Sequence, residues 1–197
     1  MPRTRAKDHD DKRVAIMETA ARIFADGGYD RTSMAQLAAE CGVSKALIYH
    51  YYASKEALLF DIIENHLSDL LDAVEKADDK QAEPQARLEA LVTGLLEAYR
   101  DADAKHKVQL GALALLPVEQ QDHLKGLERQ LVSRFSEAVR AINPAAFEDK
   151  PLLKPVTMSL FGMLNWFYMW FREGGPVSRS DYAKMATNIL VNGVRGL

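Results

Sequence analysis

The stretch "QLAAECGVSKALIYHYYASKEAL", residues 36–58, decides how the chain is read. Two short helical patterns flank Gly42, and Ser44 and Ser54 each open a new run. Short helices joined by a tight turn with a glycine form a helix-turn-helix pattern. Gly42 supplies a turn conformation that a residue with a Cβ resists. Tyr49, His50, Tyr51 and Tyr52 then place four rings on a helix barely two turns long, too many for one small core. At about 100° per residue, Ile48 and Tyr52 share a direction and face the core with Leu37 and Ala38. Ala46 and His50 point the other way, flanked by Leu47 and Tyr49, with Ser44 and Lys45 at the helix start. Such an outward face suits the major groove, where short side chains reach base edges and a helix N-terminus attracts phosphate.

Outward from this stretch the chain reads as helices throughout, with no strand-like alternation. Ile16, Ala20, Ile23 and Phe24 form an apolar stripe from about Asp10 to Asp26, closed by Gly27 and Gly28. Ser33, with Gln36 three residues on, opens the helix that Gly42 ends. Ser54 caps a fourth helix, with Glu56 in its first turn, running to about Ala77. Further helices are expected at about 84–101, 103–116, 118–142, 152–173 and 179–195, separated by proline, glycine and aspartate clusters. The fold class is all-α, with about nine helices.

Composition narrows the function. One cysteine, Cys41, leaves no disulfide framework and no cysteine-based zinc site, and a reducing, cytoplasmic setting is expected. From the charged N-terminus no secretory signal is expected. The densest apolar segment, Val156 to Phe171, is short for a membrane span and holds Asn165, so a buried helix is expected and no membrane partner. The net charge of −3 conceals an asymmetry: residues 1–55 hold nine Lys/Arg against seven Asp/Glu, the remainder sixteen against twenty-one. Arg3, Arg5, Lys7, Lys12 and Arg13 make a basic arm suited to a polyanion. His9, His50, His66, His106 and His123 are scattered, with no metal-binding pair, and no nucleophile, P-loop or dinucleotide motif is present. No catalytic residue, metal or cofactor is expected. His106, between two lysines, reads as part of a solvated loop.

Residues 32–59, "TSMAQLAAECGVSKALIYHYYASKEALL", resemble the DNA-binding signature of the TetR family of bacterial transcriptional regulators. The resemblance implies a helix-turn-helix DNA-binding domain over residues 1–54. A larger helical domain for effector binding and dimerisation would follow over 55–197. By position it places Ser33, Ser44, Lys45, Ala46, Tyr49, His50, Tyr51 and Lys55 at DNA, with Arg31 and Thr32 beside the phosphates. Lys45 and Ala46 are the candidate base readers, lysine to guanine acceptors and alanine to a thymine methyl. Tyr49, Tyr51, Lys55 and Thr32 are expected to grip phosphates. The partners implied are a double-stranded palindromic operator, a second copy of the chain in a homodimer and a small-molecule effector.

The dimer is expected from "PVTMSLFGMLNWFYMWF", residues 155–171, which is apolar on nearly every face. Met158, Phe161, Leu164 and Phe167 or Tyr168 make one stripe; Met163, Trp166, Met169 and Trp170 make another. A helix apolar all round needs burial on two sides, one by its own chain and one by a partner. Ile189, Leu190, Val191 and Val194 extend that surface. Residues 161–178 are similar to members controlling fatty-acid, steroid or aromatic-acid breakdown, which implies an acyl-CoA effector. Its acyl group is expected against Leu113, Phe161, Leu164 and Trp166, and its phosphates near Lys105, His106, Lys107, Arg129 or Arg134. The other readings are a regulator of multidrug efflux or another small-molecule response, and a helical scaffold that does not bind DNA.

Overall fold

Serines and glycines set the ends of the N-terminal helices in the computed structural model, which describes residues 2–148 and 151–197, with side chains from residue 9 onward. Among these residues nine α-helices occur and no strand: α1 Pro2–Gly27, α2 Met34–Glu40, α3 Lys45–Tyr51, α4 Lys55–Ala77, α5 Pro84–Ala98, α6 Asp103–Ala112, α7 Val118–Ile142, α8 Leu153–Asn165 and α9 Arg179–Arg195. Helix α1 starts well before the expected Asp10. The side chains of Arg3, Arg5 and Lys7 in the basic arm lie outside the described residues.

Two expected helices end early, for local reasons. The 103–116 run stops at Ala112 and tightens into a 3-10 turn at Leu113–Leu115. Leu116 precedes Pro117 and must leave the helical region; its ψ is 159°. The 152–173 run stops at Asn165, with a 3-10 turn at Phe167–Met169. That turn stacks Phe167 on Phe171, ring centroids 4.2 Å apart, with the Arg179 guanidinium 4.7 Å from the Phe171 ring. A continued α-helix would set these two rings one above the other along its axis instead of face to face.

The chain forms two compact units, Met1–Leu67 with Asp101–Lys125, and Ser68–Arg100 with Gly126–Leu197. Helix α1 packs on α6 as well as on α2. Its buried stripe of Ile16, Met17, Ala20, Ala21 and Phe24 is wider than two seven-residue helices can cover, and α6 offers Val108 and Ala112.

In the second unit, α9 packs on α5 and α8. Leu88, Leu91, Leu95, Phe135, Leu160, Leu164 and Leu190 belong to one continuous core. Its buried ions are paired, although the Thr187 hydroxyl has no hydrogen-bond partner among the described residues. Arg87 holds Asp78 through Nε at 2.6 Å and Nη2 at 3.1 Å, which keeps that carboxyl below the usual range. Tyr99 donates its hydroxyl to Asn165 Oδ1 at 3.0 Å.

In the first unit, His66 on α4 and His106 on α6 are 1% and 2% exposed, and His66 Nε2 lies 3.3 Å from His106 Nδ1. One neutral ring donates and the other accepts. His106 is therefore a buried helix residue and not part of a solvated loop. Burial, then His106, then Lys105, push the His66 pKa down to about 3. The unfolded chain takes up this proton near pH 6.5 and the folded chain does not, so its contribution to stability falls as pH drops below that value. The slope is about 1.4 kcal/mol per pH unit for one such group. Melting curves at pH 7.5 and 5.5 should therefore show a larger loss for the parent than for a His66→Leu/His106→Leu double variant. Equal losses would show that the pair is not the acid-sensitive element.

Candidate nucleic-acid interface

The α2–α3 turn is built by Gly42. It sits at φ +64°, donates its N–H to the Ala39 carbonyl at 3.0 Å, and is followed by Val43, which donates to Ala38 at 2.9 Å. These two bonds close α2 in a left-handed cap that disfavours residues with a Cβ. Ser33 Oγ accepts from Gln36 N at 3.2 Å and Ser44 Oγ from Leu47 N at 3.1 Å, capping α2 and α3. Each hydroxyl keeps its hydrogen to donate outward.

Helix α3 is seated by Ile48, 0% exposed, and by the following Tyr52, 5% exposed. The Tyr52 hydroxyl donates to Asp61 Oδ2 at 2.5 Å, and Arg13 Nη2 donates to the other oxygen of the same carboxylate. Burial, reinforced by Asp61, pushes the Tyr52 phenol upward, so it stays a donor. With those two residues inward, Ser44, Lys45, Ala46, Tyr49 and His50 are exposed, while Leu47 and Tyr51 are half-buried. Arg31 and Ser33 are exposed on the neighbouring turn and α2 start.

Three expected polyanion contacts are engaged by groups of the chain itself. Thr32 is 4% exposed, and its hydroxyl donates to the Gly28 carbonyl at 2.9 Å, so its side chain fastens the end of α1 and does not face phosphate. Lys55 Nζ donates to the carbonyls of Tyr29 at 2.9 Å and Thr32 at 3.0 Å and lies 4.2 Å from the Tyr29 ring centre. It ties the start of α4 to the α1–α2 turn, with one N–H remaining. Arg13 is held by Asp61. None of these partners is readable from spacing, because each lies more than twenty residues away or is a backbone carbonyl.

One surface residue was absent from the sequence expectations. The His9 ring packs on Tyr51, centroids 4.6 Å apart, and edge-on to His50 at 6.3 Å. It carries the ring row of α3 onto α1. The basic character of the arm gave a signal for α1, but nothing singled out His9.

The expected effector residues differ in burial. Phe161 and Leu164 are buried in the core of the second unit, with Phe161 5.0 Å from Phe135, while Trp166 is 61% exposed and Arg129 exposed on α7. Leu113 lies in the 3-10 turn of the first unit and is half-buried. Among the cation candidates, His106 is excluded by its burial against His66. Arg134 faces Glu75 at 3.4 Å and Asp78 at 3.8 Å, Lys105 donates to Asn65 at 3.3 Å, and Lys107 lies 3.9 Å from Asp26.

An all-helical chain with a glycine-closed helix pair and an outward lysine–tyrosine–histidine face defines a helix-turn-helix regulator. Comparison with known proteins specifies it further. Residues 16–62 match the family model described as bacterial regulatory proteins, tetR family, and residues 81–194 match a tetracyclin repressor-like C-terminal domain. The chain belongs to the TetR family of transcriptional regulators and is not an enzyme. It is 28% identical over 193 residues to the HTH-type transcriptional repressor KstR2 of Rhodococcus jostii, covering 93% of this chain and 91% of that one. A TetR-family regulator from Bordetella parapertussis superposes with a TM-score of 0.86 at 34% identity, covering 94% and 96% of the two chains. AibR, solved in complex with isovaleryl coenzyme A and operator DNA, gives a TM-score of 0.78 at 28% identity, covering 91% and 98%. No helix among the described residues is long and apolar enough to cross a membrane.

Lys55→Met should lower stability by about 1.5–3 kcal/mol in urea unfolding, the usual cost of losing charged hydrogen bonds. A Lys45→Ala control, at an exposed site, should stay within about 0.5 kcal/mol. An unchanged midpoint for Lys55→Met would return that lysine to the surface.

Proposed function

We propose that the chain is a ligand-responsive repressor that binds a palindromic operator as a homodimer and is released by a small apolar effector, of which a CoA thioester is the best-supported class. The observation that carries this reading is the outward face of α3, with Lys45, Ala46, Tyr49 and His50 exposed around a sealed Ile48. Lys45 and Ala46 read base edges, while Arg31, Ser33, Ser44, Tyr49 and Tyr51 hold the backbone; Lys55 positions the turn beside them.

A seven-residue helix reads only a few base pairs, so useful affinity requires two copies about 34 Å apart. The surface for pairing is the α8–α9 face. Met158, Trp166, Met185 and Ile189 are 45%, 61%, 48% and 55% exposed, and an apolar groove of about 370 Å³ runs between Val156, Met163, Ile189 and Val194. Soluble monomers rarely leave such contiguous apolar surface uncovered. Of the two stripes expected on α8, the one with Trp166 and Met169 faces out; Met158 joins it, while Phe161, Leu164 and Phe167 are buried.

The effector class is supported by the likeness to AibR and KstR2, the first of which was solved with a coenzyme A thioester. In this reading Phe161, Leu164 and Trp166 are the apolar candidates of the second unit for the acyl group, and Arg129 is its candidate for the coenzyme phosphates. Binding there shifts the balance between a conformation that fits the operator and one that does not.

DNA from upstream of the protein's own gene, followed by fluorescence anisotropy with a panel of free acids and their CoA thioesters, tests the reading. Selective, salt-dependent binding and release by at least one thioester are expected. Release only by an unconjugated drug or hormone would reject the thioester, and absence of sequence selectivity would reject the repressor. Lys45→Ala should cost about 1–3 kcal/mol of operator affinity and relax one base position. Ile189→Asp should yield a folded monomer in sedimentation and abolish tight operator binding; a dimeric Ile189→Asp variant would move the pairing surface elsewhere.

A further inference from the structure

We propose that a cleft within the first unit, between the end of α1 and one face of α6, is a binding site for a small amphipathic carboxylate, distinct from the effector site of the second unit. The cleft has a volume of about 430 Å³, within the range of small-molecule sites. Phe24, Tyr29, Val108 and Ala112, each at most 9% exposed, form its apolar floor. Arg31 and Lys107 stand at its rim with Asp30, and Asp26 lies beside Lys107.

Gly111, the penultimate residue of α6, keeps that side of the cleft open. A Cβ added to it would meet nothing within 4 Å, as at Gly162 on α8 and Gly193 on α9. The space above Gly111 is the cleft, so a ligand body can rest directly on the α6 backbone there.

The rim supplies the head-group preference. Lys107 is 3.9 Å from Asp26, whose side chain is 84% exposed, a long and solvent-screened pair that an incoming anion displaces at little cost. The Arg31 guanidinium lies over Gly28, 3.5 Å from where a Cβ would stand, and lines the cleft. Arg31 also immediately precedes Thr32 and the Ser33 cap of α2, on the operator-facing turn. A carboxylate between Arg31 and Lys107 competes with operator phosphate for the same cation, so occupancy weakens DNA binding without passing through the second unit. The hydrocarbon body lies over Gly111, against Phe24 and Val108.

The test titrates octanoate, with 1-octanol as the uncharged control, into the full-length ¹⁵N-labelled protein. Saturable shifts are expected at the amides of Gly28, Lys107 and Gly111, with octanol binding at least tenfold more weakly. Gly111→Leu fills the cleft and should weaken octanoate at least tenfold while melting no lower than the parent. Lys107→Gln, remote from the helix backbone, should do the same should Gly111→Leu fail to fold. Saturating octanoate should lower operator affinity at least fivefold in the parent and not in either variant. Shifts confined to residues 68–100 and 126–197, equal binding of octanol, or undiminished binding by both variants would overturn the site. An equal loss of operator affinity in parent and variants would overturn its link to DNA. None of these outcomes depends on whether a CoA thioester releases the operator.

Discussion

A seven-residue helix has no stability of its own, because nucleation costs more than so few hydrogen bonds return. Everything functional about α3 therefore depends on how it is held. Ile48 is sealed beneath it, and Tyr52 at its end reaches the Asp61 carboxylate, which also takes the Arg13 guanidinium. One buried side chain and one shared carboxylate join α1, α3 and α4. They fix which side of a short helix faces outward, and the exposed lysine, alanine, tyrosine and histidine follow from that choice.

The same logic governs the turn that precedes α2. Lys55 is a cation in a region expected to meet a polyanion, yet its ammonium holds two backbone carbonyls and caps a tyrosine ring. Thr32 turns its hydroxyl to the Gly28 carbonyl. Such residues shape the interface without touching its ligand: they order the backbone on which Arg31 and Ser33 are displayed. Burial of the Tyr29 ring pushes its phenol up to about 12, with Glu56 adding to the shift, so the ring under Lys55 stays neutral. The second unit shows the complementary arrangement. Its core is closed and apolar, its buried ions are paired, and its outward α8–α9 face is left greasy.

Much of the fold was legible because helix ends are written locally. Ser33, Ser44 and Ser54 mark starts, Gly42 marks a stop, and α4, α7 and α9 run where the apolar period and its breakers place them. The outward face of α3 followed from angular spacing alone. Less was legible where a helix stopped for a non-local reason, as α8 does to let Phe167 and Phe171 stack under Arg179. The compact units also escaped a linear reading, since α6 returns from beyond residue 100 to cover α1.

By itself, then, the amino-acid order determined the helical class, the helix-turn-helix, the direction in which Lys45 and His50 point, and the apolar surplus of α8, because each arises from residues within one or two turns of one another. Only the tertiary structure decided which cations remain at the surface, that His106 meets His66 in a dry interior, that His9 joins the rings of α3, and that Gly111 opens onto a cleft. Those outcomes rest on contacts across tens of residues. Charge and ring are properties of a side chain, whereas burial and partner are properties of the packed chain.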